Sequence, residues 1–504
     1  MLLPLVYVLL RTLGAGTEAW DLLFRVRVLE TLGRTALLAL VVTGASTALA
    51  IPLAWLTIRT DLPFRRLWSV VTVLPLVIPS YVGGFVVIAA LGPRGMLQQA
   101  LSGPFGVDLL PEIYGLPGAT LTLVLLSYPY VLLSVRGALW GLDPAMEETS
   151  KSLGQGNWST FFRVVLPQLR PAVAAGALLV ALYTLSDFGA VSLLGYEAFT
   201  YVVYLQYDAG DRTLAAASSL VLIVLALSVL MLEAGTRGRS SYYRTALGAV
   251  RPHAPIRLGR WRWPAVAFCG VVVLLALVTP LGVMGYWLGK GVASGQSLGL
   301  TFGTAANSVY VSILAALAAV LVSLPVAFLT TRYGGLGSIL MERVTYVGFA
   351  LPGIVVALAL VYFGANYLTP VYQTLVLLVV AYVVMFLPAA MGAARVSLLQ
   401  ISPRLEEAAL GLGRKPYPVF ATVTLPLMRP GILAGAALVF LITMKELPAT
   451  LILGPIGFQT LATSVWSSAE AAFFAQAAAP ALLLILLASL PMAFLMLSEK
   501  RSPQ

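Results

Sequence analysis

The chain has 504 residues, of which 60% are hydrophobic and 10% are charged, with a mean hydropathy of +0.94 and a net charge of +11. This composition is typical of membrane proteins and argues against a soluble globular protein. One cysteine (Cys269) and one histidine (His253) exclude a disulfide framework, a metal site built from His and Cys, and a catalytic Cys–His pair.

Apolar runs of the length that crosses a bilayer, about 20 residues, recur along the whole chain. They lie at about 35–58, 67–91, 119–140, 171–194, 213–235, 264–288, 306–331, 339–363, 373–394, 430–453 and 477–497. Residues 1–13 are apolar but short, and they lack the basic segment and cleavage site of a signal peptide. We count them as a truncated first helix or as a helix whose start is wrongly assigned, so the sequence predicts an all-α polytopic membrane protein with about twelve transmembrane helices.

The distribution of Lys and Arg predicts the topology. Most of these residues fall in alternate loops and at the C-terminus, which the positive-inside rule places in the cytoplasm. We therefore expect both termini to be cytoplasmic, and we interpret the basic charge as topology rather than as nucleic-acid binding. An arginine-rich linker at 236–263 is predicted to lie against anionic lipid headgroups. It divides the chain into a first half, 1–235, and a second half, 264–504.

A polar segment interrupts the apolar runs once in each half. The first copy, DPAMEETSKSLGQGNWSTFFRVVLPQLRP, begins at Asp143, and the second, SPRLEEAALGLGRKPYPVFATVTLPLMRP, begins at Ser402. The two align without a gap, so the chain is an internal repeat. Both halves have six predicted spans in the same orientation, which makes the repeat parallel rather than inverted.

Each copy predicts a helix–turn–helix. Pro144 and Pro403 suit a first helical position, and the acids that follow them complement the positive end of the helix dipole. Gly154 and Gly413 supply the positive φ of a sharp helix end. The alternative is an amphipathic loop that only rests on the membrane surface.

At these residues the chain resembles the permease subunits of binding-protein-dependent ABC importers, whose hallmark is a Glu-Ala-Ala segment, a Gly and a downstream Leu-Pro. The second copy matches in full, whereas the first has Glu148-Thr149-Ser150 in place of Glu-Ala-Ala. The resemblance implies the type I ABC importer permease fold, two loops that dock on cytoplasmic ATPases, and no catalysis by this chain. It assigns ATPase coupling to Glu147, Glu148, Gly154, Leu166, Pro167, Glu406, Glu407, Ala408, Ala409, Gly413, Leu425 and Pro426.

The same resemblance implies the partners and a membrane location. They are two copies of an ABC ATPase, an outer substrate-binding protein and the lipid bilayer, in the bacterial inner membrane. The chain lacks a G-x-x-x-x-G-K-[ST] phosphate loop, so we expect it to bind no cofactor and ATP to be used by the partner ATPase.

Two acids, Asp187 and Glu446, remain within apolar runs and occupy matching places in the repeat. A carboxylate within a membrane span is a functional candidate because its burial is costly. Two segments around these acids resemble signatures of the ferric iron branch of these permeases: Ser186-Asp187-Phe188-Gly189-Ala190 and Lys445-Glu446-Leu447-Pro448-Ala449. Permeases for thiamine and phosphonate are close relatives of that branch, so these two cargoes are alternatives.

The chemistry of these segments is compatible with iron. Fe³⁺ is a hard cation that suits carboxylate and phenolate oxygens, and Tyr183 lies one turn before Asp187. Lys445 argues against a simple cation cage. Asp187 and Glu446 are predicted either to line the pathway or to hold backbone groups that Gly189 and Pro448 leave free, and Glu446 has the further alternative of pairing with Lys445 of a neighbour. Tyr183 and Lys445 are the other two pathway candidates, and the alternative for Tyr183 is a place in the interfacial aromatic belt. No resident metal site is predicted.

Two functions of other classes are weighed on the residues alone. A polytopic membrane enzyme would need a nucleophile–base set or a metal cluster in the spans, and the sequence shows neither. A proton-driven secondary carrier would use Asp187 and Glu446 for proton transfer.

Overall fold

A computed structural model describes residues 2–14, 25–93, 95–106, 110–142, 144–236, 255–296, 298–299, 301–333 and 335–499. Within these ranges the chain is helical, and its one β-bridge joins Thr60 to Ile256. Helical structure is forced by the hydrocarbon, where a backbone polar group finds no water and needs a partner within its own segment. Most of the predicted linker (237–254) and both chain termini lie outside the described residues.

Within the described residues the first half contains twelve α-helices. They are α1 (Leu3–Gly14), α2 (Val26–Arg59), α3 (Arg65–Val71), α4 (Ser80–Leu91), α5 (Met96–Phe105), α6 (Leu116–Gly141), α7 (Pro144–Ser152), α8 (Asn157–Thr160), α9 (Leu166–Ser186), α10 (Gly189–Leu193), α11 (Phe199–Asp208) and α12 (Arg212–Thr236). A 3₁₀ turn at Leu74–Val77 precedes α4, and a π-turn at Phe161–Val165 precedes α9.

In the second half the described residues form thirteen α-helices. Its helices are α13 (Arg262–Val273), α14 (Thr279–Ala293), α15 (Phe302–Arg332), α16 (Leu336–Ala350), α17 (Gly353–Tyr367), α18 (Leu375–Leu399), α19 (Pro403–Gly411), α20 (Pro416–Val419), α21 (Leu425–Leu427), α22 (Arg429–Met444), α23 (Pro448–Leu453), α24 (Leu461–Glu470) and α25 (Phe474–Glu499). A 3₁₀ turn at Gly259–Trp261 and a π-turn at Leu274–Val278 flank α13, and a second π-turn at Phe420–Thr424 precedes α21.

The described residues include nine helical segments that are long and apolar enough to cross a membrane, or up to eleven if each of two bent pairs is one span. Helix α1 is apolar but only 12 residues long. The chain is therefore a multi-pass, all-helical membrane protein, and the number twelve stays a prediction.

Several runs that the sequence treats as continuous are broken in the structure. Helices α16 and α17 meet at 103° beside Pro352, and the pair Pro416–Leu427 and Arg429–Met444 is bent by 70°. In the first half the run 67–91 is interrupted between α3 and α4, where the Tyr128 hydroxyl donates to the Thr72 carbonyl at 2.6 Å. Such a bond is what makes a break tolerable at membrane depth, because it satisfies a carbonyl that the helix has released.

Contacts between Cα atoms group the chain into two compact units that do not follow the sequence halves. The N-unit comprises Arg25–Tyr201 and Val224–Tyr286, and the C-unit comprises the described parts of Met1–Phe24, Val202–Ile223 and Trp287–Gln504. Helix α1 thus packs in the C-unit, against α17, where the rings of Tyr7 and Tyr362 lie 4.8 Å apart. The division at 1–235, 236–263 and 264–504 stays a prediction about the sequence repeat.

Each unit is built on the same three helices. In the N-unit these are α2, α6 and α9, and in the C-unit they are their repeat equivalents α15, α18 and α22. Small residues allow the backbones to approach closely, as is usual between membrane helices. A Cβ built on Gly176 in α9 would lie 2.7 Å from the Val131 Cα in α6, and one on Gly435 would lie 3.2 Å from the Ala390 carbonyl oxygen.

We expect Gly176→Ala to lower the free energy of unfolding by about 1–3 kcal/mol, because the added methyl group meets backbone that cannot move aside. Thermal unfolding of the detergent-solubilised protein measures the change. Gly137→Ala is the matched control, since a Cβ at that position in α6 has nothing within 4 Å. Equal melting temperatures for the two variants would contradict this account of the packing.

Candidate coupling loops and intramembrane acids

The polar segment of each half forms the predicted helix–turn–helix. In the first loop α7 is followed by a turn at Gly154 and by α8, and in the second α19 is followed by a turn at Gly413 and by α20. The two glycines have φ of 81° and 82°, the left-handed conformation expected from the sequence. Both loops then pass through a π-turn, Phe161–Val165 or Phe420–Thr424, before the next span.

The two adjacent acids of each loop face different ways. Glu148 and Glu407 are exposed, as are Ala408 and Thr149, whereas Ala409 is half-buried. Glu147 is buried and Glu406 largely so, and each forms an ion pair with an arginine of its own unit, Arg59 or Arg332. Successive residues on a helix point about 100° apart, so only the second acid of each pair is available to a partner protein.

The Leu-Pro pairs lie on the far side of the π-turns. Leu166-Pro167 starts α9 and Leu425-Pro426 starts α21, and all four side chains are half-buried. Proline suits the first positions of a helix because it has no amide hydrogen to leave unpaired there. These residues set the direction of the outgoing helix and are only partly accessible to a partner.

Four apolar residues of the loops, which the sequence analysis did not single out, are strongly exposed. Leu153 and Leu412 precede the turn glycines with 77% and 85% of their surface accessible, and Trp158 and Tyr417 follow with 77% and 79%. They occupy matching places in the repeat. Large side chains exposed at repeated positions are typical of protein-binding surfaces. Their regular recurrence inside otherwise polar segments is the sequence signal that could have revealed them.

We use the name docking face for four of the exposed residues of each loop. The docking face of the first loop consists of Glu148, Thr149, Leu153 and Trp158, and that of the second of Glu407, Ala408, Leu412 and Tyr417. Each combines one carboxylate with one aliphatic and one aromatic side chain.

Asp187 lies at a helix break rather than inside a continuous span. Helix α9 ends at Ser186, and the Asp187 carboxylate accepts hydrogen bonds from the Ala190 amide at 3.0 Å and the Val191 amide at 3.4 Å, at the start of α10. The Ser80 hydroxyl also donates to this carboxylate. The acid therefore satisfies backbone donors that the break has released.

Glu446 repeats this arrangement in the C-unit. Helix α22 ends at Met444, and Oε1 of Glu446 accepts a hydrogen bond from the Ala449 amide at 3.0 Å, at the start of α23. A Cβ built on Gly353, the first residue of α17, would lie 2.8 Å from the same oxygen. In the N-unit a Cβ on Gly189 would lie 3.0 Å from Oγ of Ser80, the first residue of α4.

In each unit, therefore, an acid joins two breaks. The break that carries the acid packs against the first residue of a second broken helix, α4 or α17. A carboxylate is favourable there because both neighbouring helices begin, and the N-terminal end of a helix is the positive end of its dipole. Of the two roles predicted for Asp187 and Glu446, this geometry favours the structural one.

The structure gives less information about the roles of Tyr183 and Lys445, the other two residues of the predicted pathway. Tyr183 is half-buried, and its ring lies 5.6 Å from that of Tyr130. Lys445 is half-buried at the C-terminal end of α22. Within the described residues no group of three or more His, Cys, Asp or Glu side chains could hold a metal ion.

Comparison with known proteins agrees with the resemblance that the loops suggest. The family model described as the inner membrane component of binding-protein-dependent transport systems matches residues 26–234 and 319–502. A Fe(3+)-transport system permease protein of Haemophilus influenzae is 34% identical over 495 residues, which is 97% of this chain and 94% of the relative.

Two further relatives are more distant. A ferric transport system permease protein of Actinobacillus pleuropneumoniae is 26% identical over 81% of this chain and 62% of its own length. A molybdenum transport system permease protein of Escherichia coli is 32% identical over 161 residues, which is 31% of this chain and 69% of the relative. With family matches in both halves and a full-length relative, this chain belongs to the family of inner membrane components of binding-protein-dependent transport systems.

Proposed function

We propose that the chain is the permease subunit of an ABC importer for ferric iron, with both halves of the permease in one polypeptide. The likeness over nearly the whole chain to a Fe(3+)-transport permease carries this proposal. This similarity covers both repeats. The molybdenum and sulfate transport permeases match less than half of the chain.

In this proposal the two docking faces bind two copies of a cytoplasmic ABC ATPase. Exposed apolar side chains beside an exposed carboxylate fit a partner surface that offers a hydrophobic cleft and a basic group. ATP is used by the partner, and an outer binding protein delivers the cargo. In the same proposal the loops lie on the cytoplasmic side of a bacterial inner membrane, and the distribution of Lys and Arg supports cytoplasmic N- and C-termini.

An oxyanion cargo is the second candidate, because molybdenum and sulfate transport permeases are also related. These relatives match 31% and 49% of the chain, so they support the permease class more than the cargo. Thiamine and phosphonate stay alternative cargoes, on the basis of the sequence motifs around Asp187 and Glu446 alone. A proton-driven secondary carrier is the alternative from another class of transport protein.

The cargo is tested by reconstituting the permease with its ATPase and its binding protein in vesicles and measuring the uptake of radioactive iron. We expect ATP-dependent accumulation of ferric iron at least about tenfold above vesicles without ATP, because transport against a gradient needs the free energy of ATP hydrolysis by the partner. Molybdate, sulfate, thiamine and a phosphonate are the comparison cargoes.

Two controls separate the alternatives. Omitting the binding protein should abolish iron uptake in an importer, whereas a secondary carrier would respond to a proton gradient and ignore ATP. Uptake of one of the comparison cargoes in place of iron would contradict the cargo and leave the permease class standing.

The docking faces are tested by introducing charge at their apolar residues. We expect Leu412→Asp to reduce the ATPase content from two copies per permease to one, and Leu153→Asp with Leu412→Asp to remove both. A buried anchor at an interface contributes about 2 kcal/mol or more. Native mass spectrometry of the purified complex measures the stoichiometry.

Leu336→Asp is the matched control, since Leu336 is 87% exposed but lies outside both loops. It should leave two ATPase copies bound. Retention of both copies by the Leu153→Asp, Leu412→Asp variant would show that the ATPase binds elsewhere.

The structural role of the acids is tested by comparing amide and alanine variants. Asn at 187 and Gln at 446 keep an acceptor oxygen, so Asp187→Asn with Glu446→Gln should fold and retain most of the uptake. Asp187→Ala and Glu446→Ala should each lower the free energy of unfolding by about 1 kcal/mol, as the loss of a helix cap does. Thermal unfolding and iron uptake are measured on the same preparations.

Loss of uptake in a stable, ATPase-bound Asp187→Asn, Glu446→Gln variant would place the two charges in the transport pathway instead.

A further inference from the structure

Each coupling loop is tied to one particular membrane helix by a buried ion pair. The arginine comes from the last residue of the first core helix of the unit, Arg59 in α2 or Arg332 in α15, and the acid comes from the coupling helix, Glu147 in α7 or Glu406 in α19. Both partners occupy matching places in the repeat. Neither acid is free for the ATPase, so the pair serves a purpose inside each unit.

In the N-unit the pair is almost fully enclosed. The side chain of Arg59 is 3% accessible and that of Glu147 is 12% accessible. The Arg59 guanidinium also lies 5.7 Å from the centre of the Trp55 ring, one turn earlier in α2. Next to it, the Ser150 and Thr160 hydroxyls hydrogen-bond at 3.0 Å and join α7 to α8.

In the C-unit the pair is bonded to more segments. Nη2 of Arg332 donates to Oε1 of Glu406 at 3.0 Å and to the Ile401 carbonyl at 3.0 Å, just after the end of α18. The same glutamate oxygen accepts a hydrogen bond from Thr424 at 3.1 Å, in the π-turn that leads to α22. One charged pair thus joins the ends of α15 and α18 to the coupling helix and the π-turn.

An aromatic contact repeats beside each pair. Trp55 in α2 packs on Phe161 with ring centres 4.6 Å apart, and Phe328 in α15 packs on Phe420 at 5.2 Å, both edge-on. Phe161 and Phe420 are the first residues of the two π-turns, where the helix is wound more loosely. Such turns often occur at functional sites. The first core helix of each unit, α2 or α15, therefore contacts the coupling helix through an ion pair and the π-turn through an aromatic contact.

In the C-unit an apolar cluster lies beside the contact of Phe328 with Phe420. Ala327, Met391, Ala394, Leu398, Ile401 and Met428 are buried together between α15, α18 and the start of α22. Arg332 lies at the cytoplasmic end of this cluster as the proposed topology orients it. A displacement of the coupling helix cannot be absorbed locally, because close-packed interiors shift as bodies rather than deforming.

From this arrangement we propose that Arg59–Glu147 and Arg332–Glu406 are the links through which movement of each coupling helix displaces the first core helix of its unit. The inference rests on the proposed function, since it concerns how the force of the ATPase is transmitted. Arg59, Arg332, Glu147 and Glu406 are positioning residues in this scheme: they contact neither the ATPase nor the cargo. A merely structural pair would stabilise the loop and leave transport unchanged once stability is restored.

Replacing both partners separates the two roles. Removing one member of a buried pair leaves an uncompensated charge, whereas replacing both by apolar residues of similar size is often neutral for stability. We therefore expect Arg332→Met with Glu406→Met to fold, to melt near the wild-type temperature and to retain the ATPase. Its binding-protein-stimulated uptake should fall at least about tenfold, within the range typical of lost coupling between sites.

A distance measurement reports the link directly. Cys269 is the chain's single cysteine, so a Cys269→Ala background accepts spin labels at Tyr333→Cys, just after α15, and Arg404→Cys in the coupling helix. Both positions are exposed. With the ion pair intact, the distance between the labels should be the same without nucleotide and with trapped ATP. In the Arg332→Met, Glu406→Met variant it should change or broaden between the two states.

Two control variants make the test specific. Arg395 and Glu342 form an ion pair elsewhere in the C-unit, with side chains 31% and 30% accessible, and Arg395→Met with Glu342→Met should transport normally. Arg332→Lys keeps a charge opposite Glu406 and should retain more uptake than the double Met variant.

The outcomes distinguish this inference from the proposed function. Wild-type uptake or an unchanged label distance in the Arg332→Met, Glu406→Met variant would overturn the link alone. Failure of the wild-type permease to bind an ATPase or to accumulate cargo would overturn the proposed function.

Discussion

The constraint on which this structure depends is the absence of water in the hydrocarbon core. Every backbone amide and carbonyl there needs a partner from the chain itself, which is why long helices dominate the described residues. At three of the helix breaks described above, a side chain completes missing backbone bonds. Asp187 and Glu446 do this for amides, and Tyr128 does it for a carbonyl. The two carboxylates within the apolar runs therefore lie where helices are discontinuous.

The carboxylates at the helix breaks and those in the coupling loops have different partners. At the acid-bearing breaks, carboxylates face amides, and the partners are only three residues away along the chain. At the coupling loops, carboxylates face arginines from a distant helix. A local cap adjusts when its own helix moves, whereas a long-range ion pair makes two helices move together. The breaks are thus suited to hold a shape, and the coupling loops to pass on a displacement.

Much of the fold and of the loops could be predicted from the sequence. The repeat, the turn glycines and the Leu-Pro pairs are local patterns, and the structure confirms the positive φ of Gly154 and Gly413. The orientation of Glu147 against Glu148 could not be predicted, because it depends on Arg59, which lies far away along the chain. The breaks near Pro79 and Pro352 were missed because a hydropathy window averages across them. The packing of α1 in the C-unit could not be predicted either, since hydrophobicity alone does not determine which of the two units an apolar helix joins.

The contact of Tyr7 with Tyr362 has a consequence for how the protein is made. Ribosomes add about 5–20 residues per second, so roughly 20–70 seconds of synthesis separate the two tyrosines. During that interval α1 lacks the neighbour that it contacts in the structure. The contact that holds α1 in the C-unit therefore forms only after α17 has been synthesised, so the C-unit is completed late.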